Sequence, residues 1–177
     1  MPTAPSRDLI RGQGIELKPQ DFQFISQLIK ERSGLVLSQD KLSLPESRLM
    51  AVARKKGMKG LEDLIAALRA NRDEELARDV TEAMTTNESF FFRDIKPFEL
   101  FRVNVLPELL KNRADKKSFR IRCAASSSGQ EPYTLAMVLK EEAAKLAGWR
   151  YEIVATDIST EMLDKAKVGL YSQFEVQ

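Results

Sequence analysis

The chain has 177 residues, of which 43% are apolar and 31% are charged, with a net charge of +2. This composition is typical of a globular protein of one or two domains, and so small a net charge gives no indication of a nucleic-acid partner. The sequence contains no signal peptide and no apolar run approaching about 18 residues. We therefore expect neither export nor membrane insertion, and predict a cytoplasmic protein. Because there is no histidine and only one cysteine, Cys123, no metal site and no internal disulfide is visible.

The N-terminal part is predicted to be helical. Residues 1–14 contain two prolines and two glycines and are expected to form a flexible tail. Residues 15–84 then show the apolar spacing of an all-α domain, with one helix over 19–32 that Gly34 ends. A turn at 38–41 precedes a second helix that runs through Lys56 to Gly57. Two further helices are predicted over 61–70 and 73–84.

The second predicted helix and the residues after it carry a group of basic side chains. No acid interrupts them between Ser47 and Leu61. Arg48 and Lys55 lie two helical turns apart and therefore share one face. On the sequence alone this is either a solvated surface or a docking surface for an acidic partner. The residues concerned are Arg48, Arg54, Lys55, Lys56 and Lys59.

Residues 95–177 are predicted to begin an α/β sheet. A helix over 95–111, which Pro107 should kink late, leads to a strand over 118–124 with alternating apolar side chains. A loop of small residues over 125–130 follows, and a helix should start at Pro132 and stop at Gly148. A second strand over 151–155 precedes a helix that Ser159 or Thr160 caps. This is a β-loop-α-β unit, the nucleotide-binding half of a Rossmann-like sheet.

Two acids flank the small-residue loop and indicate the class of ligand. The loop contains one glycine, Gly129, and matches neither the GxGxxG pattern nor a P-loop. Glu131 at the helix start would repel a pyrophosphate but attract an ammonium group, and Asp157 after the second strand can accept hydrogen bonds from ribose hydroxyls. S-adenosylmethionine, with an amino acid at one end and a ribose at the other, satisfies both. Taken singly, Glu131 can also be a helix N-terminal charge, and Asp157 a loop-capping acid.

Four segments resemble, in the same order, blocks of the chemoreceptor glutamate methyltransferase family (CheR type). They are TTNESFFFRD at 85–94, AASSSGQEPYTLAM at 124–137, ATDIS at 155–159 and KAKVGLY at 165–171. The resemblance implies methyl esterification of glutamate side chains on methyl-accepting chemoreceptor helices. S-adenosylmethionine would be the methyl donor and S-adenosylhomocysteine the product. It also implies that the basic surface of the helical domain faces the glutamate-rich receptor helices.

The resemblance further implies roles for individual residues. Asn87, Ser89 and Arg93 should contact the cofactor from a linker over 85–94, with Arg93 close to the methionine carboxylate and the transferring methyl. On the sequence alone, the favoured interpretation of Arg93 is a salt bridge with Asp94 or Glu88. Glu131 should hold the methionine amino group and Asp157 the ribose. We assign Ala125, Gly129 and Ile158 to the same cofactor site. Arg93 is the one residue that we assign to catalysis.

The family's sheet is larger than the part that can be predicted here. Two strands are readable before Gln177, so we expect residues 95–177 to form a truncated Rossmann-like methyltransferase domain with open apolar faces. The alternative function is a non-catalytic module that binds S-adenosylmethionine or a receptor helix. We also expect the orphan sheet edge to be buried by dimerisation or by exchange of elements with a second copy.

Overall fold

The computed structural model describes residues 17–38, 43–70 and 73–176. The chain divides into two compact units, with the division between Thr85 and Thr86. The predicted tail at 1–14, and all of the predicted turn at 38–41 except Ser38, lie outside the described residues. Within the described part, no helix combines the length and the apolar character needed to cross a membrane.

The first unit is helical. Its helices are α1 (Pro19–Ser33), α2 (Ser43–Lys55), α3 (Leu61–Arg69) and α4 (Glu74–Met84). Gly34 ends α1 in the left-handed conformation, and its N–H donates to the Lys30 carbonyl. Asp73 caps α4, where its side chain accepts from the Leu76 N–H at 2.9 Å. Fully buried side chains from all four helices form the core: Ile25, Ile29, Leu49, Leu64, Leu76 and Val80.

The second unit starts with a helical segment that the sequence predicted as one helix with a late kink. It consists of α5 (Lys96–Leu100), a π-helical turn (Phe101–Val105) and α6 (Leu106–Asn112). Pro107 has no N–H to donate to the Val103 carbonyl, and its ring would press on that carbonyl in a regular α-helix. A wide π turn before the proline relieves this clash while the helical direction continues.

Two parallel strands form the sheet, β1 (Ser118–Ala124) and β2 (Arg150–Thr156), paired from Ser118 with Arg150 to Ala124 with Thr156. On one face of the sheet, Phe119 belongs to a buried apolar cluster. The other buried members are Leu106 of α6 and, from the connection between the strands, Leu139 and Leu146. The other face carries exposed charged residues: Arg120, Arg122, Arg150 and Glu152. Our expectation of open apolar faces is met only in part: Phe119 and Cys123 are buried on one face, where Tyr151 is 43% exposed, and the other face is largely polar.

The connection between the strands differs from its prediction at both ends. Helix α7 (Gln130–Glu141) starts before Pro132 and stops well before Gly148. Tighter turns follow, in which the Lys145 N–H donates to the Glu142 carbonyl and the Leu146 N–H to the Ala143 carbonyl. These turns bring Leu146 into the core, a tertiary gain that overrides the helix propensity of the segment. After β2, Ser159 caps α8 (Thr160–Val168), which Gly169 ends.

Candidate functional site

The loop between β1 and α7, which we call the glycine turn (Ala125–Gly129), has an unusual backbone. Ala125, Ser127 and Gly129 all have positive φ, at 58°, 49° and 99°. For the two residues that are not glycine, such conformations cost about 1–3 kcal/mol each and persist only where the surroundings impose them. The turn is therefore held by contacts and does not follow from local preference.

Hydrogen bonds from three parts of the second unit hold the glycine turn. The Ser126 N–H donates to the Thr156 carbonyl at 3.0 Å, and the Gly129 N–H donates to the Ser126 carbonyl at 3.0 Å. The Ser127 N–H donates to Asp157 Oδ2 at 2.7 Å, while its hydroxyl donates to the Asn87 carbonyl at 2.7 Å. Because these N–H groups are used internally, the turn does not offer them as a phosphate cradle.

Asp157 follows β2 and uses both carboxylate oxygens. Oδ2 accepts from the Ser127 N–H, and Oδ1 accepts from the Ser159 N–H at 2.8 Å. The loop-capping alternative for Asp157 is thus realised in the structure. A carboxylate offers about four lone-pair directions, and Asp157 is only half-buried. It can therefore still accept hydrogen bonds from ligand hydroxyls.

Glu131 lies in the first turn of α7 and is exposed. Its carboxylate lies close enough to the thiol of Cys123, near the end of β1, to affect the pKa of that thiol. Burial, with the hydrogen bond and charge of Glu131, raises the pKa of Cys123 to about 12. The thiol is therefore neutral at pH 7. Among the described residues Glu131 forms no salt bridge, so its carboxylate is available to attract a cationic ligand group at the carboxyl end of β1.

The segment 86–94 lies against the glycine turn and α7. The Asn87 carbonyl accepts from Ser127, and the Phe92 N–H donates to Thr134 Oγ1 at 3.1 Å. Phe91 packs edge-on against Tyr171, with ring centroids 4.8 Å apart. The segment is therefore an integral part of the second unit.

Arg93 is exposed, and its Nη1 donates to the Glu88 backbone carbonyl at 2.9 Å. The salt bridge that we considered with Asp94 or Glu88 would need a carboxylate, and this contact goes to a carbonyl instead. The guanidinium charge is thus not neutralised by that contact. Ser89 is half-buried in the same segment.

The predicted cofactor residues fall into two groups. Asn87, Ala125, Gly129, Glu131 and Asp157 belong to the glycine turn or to the elements that contact it. The others are Ser89 and Arg93, which share the segment 86–94 with Asn87, and Ile158, which is 44% exposed beside Asp157. The cofactor roles of all eight stay predictions.

Aromatic residues that the sequence analysis did not assign to the site cover one side of the glycine turn. The Tyr171 hydroxyl donates to the Ser128 carbonyl at 2.6 Å, and the Tyr133 hydroxyl donates to the Ala166 carbonyl in α8 at 2.9 Å. A methyl group added at Gly129 would lie 3.0 Å from both Tyr171 Oη and Ala166 Cβ. A hydrogen bond from a tyrosine to a backbone carbonyl cannot be recognised from the spacing of residues in the sequence. In the sequence analysis, only the KAKVGLY resemblance indicated this segment.

The predicted basic surface is partly engaged within the first unit. Arg48 Nη1 donates to the carbonyls of Ala83 and Thr85, at 3.2 and 2.8 Å. Lys56 forms ion pairs with Glu75 and Asp79 at 2.8 and 2.9 Å. The remaining three basic residues are exposed: Arg54, Lys55 and Lys59.

The described residues suit S-adenosylmethionine. An anionic side chain beside the glycine turn suits its ammonium group, and an acid after β2 suits its ribose hydroxyls. Ser126 Oγ is buried at the turn and has no hydrogen-bond partner among the described residues. An unpaired buried hydroxyl is uncommon, and a bound ligand is one way to satisfy it.

Together, the paired parallel strands, the glycine turn and the two acids define a Rossmann-like domain with a candidate cofactor site. Residues 87–177 match the family model described as CheR methyltransferase, SAM binding domain, and residues 20–85 match CheR methyltransferase, all-alpha domain. The chain belongs to the CheR methyltransferase family, and S-adenosylmethionine is the cofactor that this family domain binds. The predicted fold class, an all-α domain followed by a Rossmann-like methyltransferase domain, is confirmed.

Curated relatives carry matching names. The chain is 38% identical over 159 residues to a chemotaxis protein methyltransferase of Vibrio anguillarum. The matched region covers 89% of this chain and 57% of the relative. It is 41% identical over 154 residues to chemotaxis protein methyltransferase 1 of Pseudomonas aeruginosa, covering 85% and 56%. For the chemotaxis protein methyltransferase of Salmonella typhimurium the identity is 33% over 165 residues, covering 93% and 54%. The chain thus spans little more than half the length of these relatives.

Proposed function

We propose that this chain is the cofactor-binding part of an enzyme that transfers a methyl group from S-adenosylmethionine to glutamate side chains of bacterial chemoreceptors. One observation carries the proposal. Glu131 and Asp157 both lie at the glycine turn, at the carboxyl ends of paired parallel strands. Ligands of open parallel α/β sheets bind at these ends. The family membership and the names of the relatives support the reaction type and the class of substrate.

The proposed reaction needs alignment more than proton transfer. A glutamate side chain has a pKa of ~4.3 and is an ionised nucleophile at pH 7. Its oxygen attacks the methyl carbon while the carbon–sulfur bond breaks, so that an ester forms, the sulfonium becomes a thioether and no proton moves. A general base is unnecessary, in keeping with a chain that has no histidine. The cofactor, when bound, supplies the electrophilic methyl group.

The residues of this chain hold and orient the reactants in the proposal. Glu131 binds the ammonium group, and Asp157 accepts from the ribose with its remaining lone pairs. The neighbouring backbone and side chains, Ala125, Gly129 and Ile158, shape the same site. Arg93, with Asn87 and Ser89, approaches from the segment 86–94. The Arg93 guanidinium steadies a carboxylate, of cofactor or substrate, through charge-assisted hydrogen bonds.

Titration calorimetry with S-adenosylmethionine and S-adenosylhomocysteine tests the site. Glu131→Gln keeps the shape of the side chain and removes its charge, so we expect affinity to fall about tenfold or more. Asp157→Asn should weaken binding similarly. Asp157→Ala is less informative, because it removes both the proposed ribose acceptor and the acceptor of the Ser127 N–H. Glu152→Gln is the matched control, because Glu152 is exposed on β2 and pairs with Arg120. Unchanged affinity in folded Glu131→Gln and Asp157→Asn would reject the assignment, as would tight binding of a dinucleotide instead.

A turnover assay separates the proposed enzyme from the alternative, a module that binds without catalysis. Receptor fragments are incubated with the protein and methyl-labelled cofactor, and label released as methanol by mild base reports carboxyl esters. Labelled ester supports the proposed reaction. Cofactor binding with no ester formed supports the binding module.

We also propose that the first unit docks the receptor through the exposed basic residues Arg54, Lys55 and Lys59. Rim charges of this kind act mainly on the association rate and its salt dependence. Arg54→Glu combined with Lys55→Glu should slow association with a glutamate-rich receptor fragment at low salt, and the difference should shrink at high salt. The control is Lys30→Glu on α1. Because the control reverses one charge and the test variant reverses two, an effect half as large in the control would show that only net charge matters.

A dimer is proposed through the edges of the sheet. The described sheet has two strands, so each strand has one edge without a partner strand in the described structure. Light scattering at micromolar concentration should show a dimer mass. A lysine at Val154 should shift it toward the monomer, whereas a lysine at the exposed Gln173 should not. A strictly monomeric wild type would contradict the proposal.

A further inference from the structure

Tyr171 contacts both segments to which the proposed function assigns the cofactor. Its hydroxyl donates to the Ser128 carbonyl at 2.6 Å in the glycine turn. Its ring packs edge-on against Phe91 of the segment 86–94, with centroids 4.8 Å apart. Tyr171 thereby joins two stretches of chain that lie far apart in sequence.

The contact in the glycine turn acts on one peptide unit. The Ser128 carbonyl and the Gly129 N–H belong to the same planar peptide group. The carbonyl accepts from Tyr171, and the N–H donates to the Ser126 carbonyl at 3.0 Å. Glycine adopts positive and negative φ almost equally readily, so this peptide could rotate at little cost if either bond were absent. The hydroxyl of Tyr171 removes that freedom.

The contact with the segment 86–94 is made by the ring. Phe91 is half-buried, whereas its neighbours Phe90 and Phe92 are 44% and 38% exposed. Edge-on aromatic pairs contribute about 0.5–1.5 kcal/mol beyond burial. Phe91 is thus the residue of the Phe run whose ring anchors the segment against Tyr171, next to Asn87, whose carbonyl accepts from Ser127.

We propose that Tyr171 is a positioning residue for the cofactor site: its hydroxyl fixes the Ser128–Gly129 peptide, and its ring seats the segment 86–94 through Phe91. The inference rests on the proposed function, in which these segments contact S-adenosylmethionine. Burial raises the pKa of Tyr171, so the hydroxyl stays a protonated donor at neutral pH.

Two substitutions separate the two contacts. Tyr171→Phe removes the donor and keeps the ring, and Tyr171→Leu removes both. Amide hydrogen exchange of the protein without ligand should become faster in the peptide 125–131 in both variants. In the peptide 86–94 it should become faster only in Tyr171→Leu. Titration with S-adenosylhomocysteine should show affinity about fivefold to tenfold weaker for Tyr171→Phe, and weaker still for Tyr171→Leu.

Tyr151→Phe is the control, since it also removes one tyrosine hydroxyl from the second unit but lies near the start of β2, where its ring stacks on Phe119 with centroids 5.7 Å apart. It should leave exchange in 125–131 and the affinity unchanged. Wild-type exchange and affinity in Tyr171→Phe would overturn the inference, and so would an equal loss in Tyr151→Phe. If the wild type binds no S-adenosylhomocysteine, the proposed function fails, while the exchange pattern still decides whether Tyr171 holds the two segments.

Discussion

Gly129→Ala tests whether the glycine turn is as crowded as the structure indicates. At φ of 99°, an alanine would pay about 1–2 kcal/mol for the left-handed backbone. Its methyl group would also meet Ala166 Cβ and Tyr171 Oη at 3.0 Å and Tyr133 Cε2 at 3.2 Å. Overpacking of this kind costs about 1–3 kcal/mol. The expected loss in free energy of unfolding is therefore about 2–5 kcal/mol.

Gly148→Ala is the matched control for this prediction. Gly148 lies in the same unit at φ of 79°, and an added methyl group would meet no atom within 4 Å. It should pay the backbone cost alone, about 1–2 kcal/mol. The difference between the two variants isolates the contacts of Gly129 with α8 and Tyr171.

Urea denaturation followed by tryptophan fluorescence measures both variants. The chain has one tryptophan, Trp149. This residue packs against the core of the second unit, with its ring 6.1 Å from that of Phe119. The signal therefore reports the unit that contains the glycine turn. Far-UV circular dichroism checks the midpoint for Gly148→Ala, which neighbours the fluorophore. Losses that agree within about 0.5 kcal/mol would refute the crowding argument, since additivity errors are of that size.

Substitutions at three further positions test other contacts of the second unit. Ser159→Ala removes the side chain that accepts from the Met162 N–H and should cost about 1 kcal/mol in the same denaturation, whereas Ser159→Asp should retain most of the stability. Thr134→Val keeps the shape of the side chain but leaves the Phe92 N–H unpaired, and should cost about 1–3 kcal/mol; a neutral result would show that water satisfies this donor. Because burial chiefly raises the pKa of Cys123 to about 12, from 9.0, the unfolded chain releases the thiol proton first as pH rises. The contribution of the protonated Cys123 thiol to the free energy of unfolding is fully present below pH 9 and is lost as pH rises toward 12. In Cys123→Ala the free energy of unfolding should therefore fall less steeply between pH 9 and pH 12.

The sequence predicted the elements whose pattern is local. Helical spacing located α1, and the alternation of Phe119, Ile121 and Cys123 located β1. The π turn before Pro107 and the early end of α7 escaped prediction, because both depend on packing against the rest of the unit. The order of the elements along the chain predicted that Glu131 lies at the start of a helix and Asp157 at the end of a strand. Because parallel strands and their connections determine where those ends meet, the two acids could be expected near the same turn. The bond of Tyr171 to a backbone carbonyl carries no such signature.

The hydrogen bonds of the glycine turn bear directly on how the site selects its ligand. In a phosphate-binding loop the backbone N–H groups recognise the ligand's negative charge. Here the N–H groups of Ser126, Ser127 and Gly129 are already bonded to protein oxygens. In the proposed function, recognition of charge therefore passes to the side chains of the two acids at the turn, Glu131 and Asp157. Because Asp157 accepts from the Ser127 N–H and would also bind the ribose, the conformation of the turn and the affinity for the ligand would be coupled through one carboxylate. A change that loosens the turn should weaken binding even where it touches no ligand atom.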